Sequence, residues 1–78
     1  ILINEKNLSD KITLIDLIVL SKLENSKSEI RRIIKSGGAK INNQNILNEK
    51  LVITKDLFKD KLLKLSLGKK RHVKVELT

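Results

Sequence analysis

"SKSEIRRIIKSGGAKINNQNI", residues 26–46, decides the fold. Ser26 and Glu29 stand in the S-x-x-E spacing of a capping box, which marks a helix start. The spacing predicts a helix over about residues 27–36, with Ile30, Ile33 and Ile34 in the i, i+3, i+4 pattern of a core-facing stripe. Ser28, Arg31, Arg32 and Lys35 then fall on the opposite side, so the cations share one face. Gly37–Gly38 ends the helix, because a left-handed C-cap clashes with any side chain. "AKIN", residues 39–42, alternates like a strand. "NNQN" reads as a turn in which Asn42 or Asn43 accepts positive φ, and "ILN", residues 46–48, as the returning strand.

Upstream, Thr13 with Asp16 starts another helix, whose buried side is Leu14, Leu17, Ile18 and Val19, extended by Leu20 and Leu23. Ile1–Ile3 reads as a short edge strand, and "NEKNLSDK" as a polar turn. Downstream, "KLVITKDLF" fits strand, loop or a short helical turn. "KLLKLSL" and "HVKVEL" are strand-like runs joined by a turn at Gly68. The reading is a single α+β domain: two or three short helices on a small, mostly antiparallel sheet.

The chain has 78 residues and a net charge of +8. A chain this short is one domain at most, with a modest core. Apolar content is 40 %, which argues against disorder. The charge is uneven. Residues 26–42 carry five cations against Glu29, a balance of +4, and residues 59–74 carry seven against Asp60, a balance of +6. Two basic segments in an otherwise near-neutral chain point to a polyanionic partner. Cysteine is absent, which points to a reducing cytoplasm. The longest apolar run, "ITLIDLIVL", holds an aspartate and is too short to span a bilayer, so no membrane partner is expected. The chain begins at Ile1 without methionine and is expected to be a piece of a longer protein.

Enzymatic chemistry finds no support. The lone histidine, His72, lacks a nearby carboxylate in sequence, and no metal-ligand cluster is present. "SGGAK" follows a helix and does not open one, so it is no P-loop. Phe58 is the only aromatic residue. Modules that hold single strands stack bases on exposed rings, which this chain cannot do. Lys, Arg, Ser and Asn can instead meet phosphates, sugar hydroxyls and shape, which favours structured RNA. Duplex DNA is disfavoured, because the basic helix is short, ends in glycines and has no helix-turn-helix context.

The run from Ser26 to Ile46 resembles the RNA-binding domain named after the fourth small-subunit ribosomal protein, the S-four or alpha-L fold. Cap, arginine pair, glycines, strand and turn come in that family's order, over about residues 12–50. The preceding "TLIDLIVLSKL" and the terminal "LGKKRHVKVEL" extend the likeness, over about Thr13–Leu77, to the C-terminal domain of bacterial tyrosyl-tRNA synthetases. One departure is visible: the turn usually reads Asn-Gly, and here it is Asn42-Asn43.

The resemblance implies RNA contacts from Ser26, Lys27, Ser28, Arg31, Arg32 and Lys35. It also implies Gly37 and Gly38 as the exit from the helix, Lys40 and Asn42 beside it, and Lys69 and Lys70 as flanking charge. It implies structured RNA, foremost tyrosine tRNA, as partner, and no catalysis or cofactor in this domain. ATP would bind only in the parent's catalytic part. Residues 1–12 would link to that part, the parent would be a homodimer, and the isolated domain a monomer. Two other assignments stand beside it. One is the same fold in a pseudouridine synthase, an RNA methyltransferase or a ribosome-associated heat-shock protein. The other is a basic protein-docking module.

Overall fold

The computed structural model describes residues 1–78. In chain order the elements are β1 (Leu2–Ile3), α1 (Glu5–Ser9), α2 (Leu14–Ser21), α3 (Lys27–Lys35), β2 (Ala39–Ile41), β3 (Gln44–Asn45), a 3-10 turn (Lys55–Leu57), β4 (Leu62–Leu67) and β5 (Arg71–Leu77). The strands form one sheet in the order β1-β5-β4-β2-β3. Only β1 pairs in parallel, with β5; every other pairing is antiparallel. This is the expected small α+β fold.

Fifteen buried apolar residues make a single core. Helix α2 supplies Leu14, Ile15, Leu17 and Ile18; α3 supplies Ile30, Ile33 and Ile34. Strand β4 presents Leu63, Leu65 and Leu67 to the core and turns Lys64 away, so one face of the sheet is covered and the other is open to solvent. The stripe expected on α2 is slightly displaced. Leu20 is exposed, while Val19 and Leu23 are half-buried, because residues 14, 17, 18 and 21 form the inward row.

Helix starts follow local hydrogen bonding. Thr13 caps α2, and Asp16 returns the bond to the Thr13 amide at 2.9 Å. Ser26 caps α3 by accepting the Glu29 amide. The second half of that predicted box is not made by Glu29. Glu24 Oε2 accepts the Ser26 amide at 3.1 Å, leaving Glu29 free to pair with Arg32. Residues 4–11, expected as a turn, hold α1, capped by a reciprocal Asn4–Asn7 pair. Asn at both positions escapes the S-x-x-E pattern. Ile3 lies in the core and β1 extends the sheet, as the edge-strand reading expected.

The middle of the chain is less regular. β3 begins two residues earlier than "ILN", because Asn42-Asn43 alone make the turn and Ile41 pairs with Gln44. Residues 46–59 then run back along the helices. Leu51 O accepts the Leu14 amide, Ile12 O accepts the Ile53 amide, and Ile53 is fully buried.

Asn42 and Asn43 have φ of 51° and 70°, the left-handed pair of a type I′ hairpin. They differ in what their side chains do. Asn42 Nδ2 donates to Leu57 O at 2.7 Å and its Oδ1 accepts the Lys64 amide at 3.0 Å. Asn43 makes no such bond and is exposed. Asn43→Gly is therefore expected to stabilise the chain by about 0.5 kcal/mol, by removing left-handed strain. Asn42→Gly is expected to destabilise it by about 1–2 kcal/mol, through two lost hydrogen bonds. Urea unfolding of both variants checks this, and equal effects would contradict the assignment.

Candidate nucleic-acid interface

Helix α3 ends in a bond pattern that sets the site. The Gly37 amide donates to Ile34 O at 3.1 Å and the Gly38 amide to Ile33 O at 2.9 Å, the two bonds of a Schellman cap. Gly37 has φ of 84°. A Cβ at Gly38 would lie 2.7 Å from Ile33 Cγ2. The bareness of both glycines thus serves the cap and close packing. Their amides are spent internally and cannot cradle an anion, which agrees with the exclusion of a P-loop. Gly38 O then accepts the Gly68 amide at 2.7 Å, pulling the β4–β5 turn against the helix exit. Asn45 Nδ2 donates to Gly37 O at 2.8 Å from the other side.

These contacts enclose an open groove of about 510 Å³ with no hydrophobic lining residue. Lys40, Lys69, Asn45, Ser66 and His72 line it together with the glycines. His72 Nδ1 lies 3.0 Å from Ser66 Oγ across the β4–β5 pair. The groove sits at the C-terminal end of α3, where the helix dipole repels an anion by about half a charge. Lys35, Lys40 and Lys69 are exposed whole charges around it, so attraction wins.

The expected contact residues divide into groups. Ser26, Lys27, Ser28, Arg31, Arg32 and Lys35 are exposed on α3. Gly37, Gly38, Lys40 and Lys69 meet in the groove, and Lys70 is exposed at the turn beside it. Asn42 is turned inward, with both ends of its amide satisfied by the fold. Asn45, Ser66 and His72 were missed. Pairing the two terminal strands about Gly68 places Ser66 opposite His72, and that register was the signal available.

The two arginines are not bare charges. Arg32 forks onto Glu29, its Nε at 3.1 Å from Oε2. Arg31 Nε lies 3.5 Å from Glu49 Oε2. Repulsion along the helix is thereby relieved within the chain. Such exposed pairs are worth little, so a phosphate can compete for either guanidinium. Lys27, Lys35, Lys40, Lys69 and Lys70 have no ion-pair partner.

Glu24 anchors this surface. Its carboxylate accepts the Asn25 and Ser26 amides and pairs with Arg71 of β5 at 3.3 Å, while Arg71 also donates to Leu23 O. The start of α3 is so tied to the terminal hairpin.

The family model described as the tyrosine–tRNA ligase SYY-like C-terminal domain matches residues 3–75. The chain belongs to this family. Relatives agree along nearly its whole length. The tyrosine–tRNA ligase of Pelagibacter ubique (strain HTCC1062) is 65 % identical over 75 residues, 96 % of this chain and 18 % of that protein. Those of Rickettsia bellii (strain RML369-C), 42 % identical over 78 residues, and Borrelia turicatae (strain 91E135), 45 % over 69, cover 99 % and 88 % of this chain. These matches amount to 19 % and 17 % of the two relatives. The chain thus spans under a fifth of the length of the curated relatives it matches. No helix is long and apolar enough to cross a membrane.

The Ser26 amide, and after it the Arg71 guanidinium, hold the Glu24 carboxyl below its ordinary value of 4.5. Arg32 does the same for Glu29. A depressed carboxyl stabilises the fold fully above its unfolded pKa and loses that contribution as pH falls through the folded one. The thermal midpoint is therefore expected to decline below about pH 4.5. Glu24→Gln should make that decline shallower. An acid limb superposable on that of the parent chain would refute the tie between Glu24 and Arg71.

Proposed function

We propose that this chain is the non-catalytic tRNA-binding domain of a tyrosine–tRNA ligase, gripping tyrosine tRNA through its phosphates and sugars. The carrying observation is the groove at the α3 exit, polar throughout and rimmed by unpartnered lysines. Family membership supplies the class of RNA. In this reading α3 lays Arg31, Arg32 and Lys35 along one stretch of backbone, while Lys40, Lys69 and Lys70 take the next. Ser26 and Ser28 offer hydroxyls at the helix start. Asn42 supports the hairpin and makes no RNA contact.

The parent would attach tyrosine to its tRNA with ATP bound in a separate catalytic part. It would work in the cytoplasm as a homodimer, with this domain monomeric by itself. Residues 1–12 would lead from that part while also closing the sheet edge. Few phosphate contacts give weak binding alone, about micromolar at physiological salt. Tethering to a second tRNA site in the parent raises the effective affinity.

Titrating the chain with an unmodified tyrosine tRNA, a tRNA with a short variable arm and a duplex DNA, at several salt concentrations, tests this reading. The tyrosine tRNA is expected to bind tightest, with affinity falling steeply in salt. Arg31→Ala/Arg32→Ala should weaken binding about tenfold and lower the log–log salt slope by about 2. Equal binding of all three nucleic acids would reduce the surface to a generic basic one.

A further inference from the structure

The uncovered face of the sheet enters the reading above only at its groove edge, through Lys40, Ser66 and His72. Lys64 of β4 and Lys74 of β5 stand directly opposite each other in the ladder. Cross-strand neighbours hold their Cβ atoms about 5 Å apart, and like charges there destabilise a sheet. Neither lysine has an ion-pair partner. In the next row on the same face, Lys40, Ser66 and His72 lie side by side across three strands. The one acid on this face is Glu76, opposite Leu62 at the far end, and it pairs with none of these cations.

This face is continuous with the groove. A shallow hollow of about 370 Å³ lies over Lys64 and Lys74, and Asn43, Ser66 and His72 line both it and the groove. Its apolar liners offer no anchor, since Leu65 is fully buried and Val73 half-buried. A protein partner would need aromatic or apolar anchors here. A row of amines flanked by a hydroxyl, an amide and an imidazole instead suits alternating phosphate and ribose groups.

We propose that the open sheet face, centred on Lys64, Lys74 and His72, is a second RNA-backbone surface. It continues the groove onto a further stretch of the same RNA. The proposal rests on the RNA-binding reading and adds to it a face that neither α3 nor the β4–β5 turn supplies. It gives the Lys64–Lys74 opposition a use: the repulsion held in the free sheet is relieved when phosphates arrive.

Stability and binding should therefore move in opposite directions. Lys64→Gln/Lys74→Gln removes both charges and keeps side-chain length. Lys64→Glu creates a cross-strand ion pair with Lys74. Both are expected to unfold at the same or a higher temperature than the parent chain. Both should bind unmodified tyrosine tRNA at least fivefold more weakly, and the double variant should lower the salt slope by about 2. Arg31→Ala/Arg32→Ala serves as the reference variant, and polyglutamate as a ligand of different chemistry. If the sheet variants bind like the parent chain while the arginine variant weakens, the second surface is overturned and the RNA reading stands. If neither weakens, the RNA reading itself fails. If polyglutamate binds the parent chain but not the sheet variants, while tRNA binds both alike, the face belongs to an acidic protein and the assignment to RNA is overturned.

Discussion

The hydrogen bond from the Gly68 amide to Gly38 O, 2.7 Å long, joins the two sides of the candidate surface. On one side of it, α3 is stopped by its Schellman cap. On the other, β4 and β5 reverse direction. It extends the β2–β4 ladder, in which Ala39 pairs with Leu67, up to the helix end and the hairpin turn. With it they become the two walls of a polar groove. The contact requires a bare Gly38, because Ile33 Cγ2 already fills the space a side chain would take. The same isoleucine is part of the core stripe of α3. Core packing and groove geometry are thus one constraint, and α3 cannot shift without opening the groove.

Electrostatics on this scaffold works by division of labour. The arginines of α3 are paired within the chain, Arg32 by a forked hydrogen bond to Glu29 and Arg31 by an ion pair with Glu49. The lysines are unpaired and supply the excess positive charge. Surface pairs of this kind lie near zero net stability, so exchanging a carboxylate for a phosphate costs little. Glu24 has a different task. It closes the start of α3 and grips Arg71, tying the helix that carries the arginines to the strand that carries His72 and Lys74. An RNA backbone lying over both would meet a rigid surface, and rigidity limits the entropy lost on binding.

Much of this was legible in residues 26–46. The Ser26 cap, the isoleucine stripe, the glycine stop and the Asn42-Asn43 turn are local features, each set by residues within one or two turns of each other. Their order carried the family resemblance. The terminal hairpin was equally plain from alternation around Gly68. What escaped depends on contacts distant in sequence. Glu24 displaces Glu29 from the expected box because Arg71, 47 residues on, helps to hold it. Asn42 turns inward because Leu57 and Lys64 wait there. Residues 46–59 make two backbone bonds to the start of α2, and no side-chain period reports such bonds. In sequence His72 was only a lone histidine without a carboxylate beside it. Its place beside Ser66 and the groove exists only once β4 and β5 are in register.

Amide shift mapping during titration with an unmodified tyrosine tRNA shows whether RNA meets the groove between helix exit and hairpin turn. The largest perturbations are expected at Lys35–Lys40 and at Gly68, Lys69 and His72, where helix exit and hairpin turn meet. Leu47, Val52 and the exposed side of α1 should stay unchanged. Perturbations concentrated at Leu47, Val52 and α1, with the glycine exit silent, would contradict that placement.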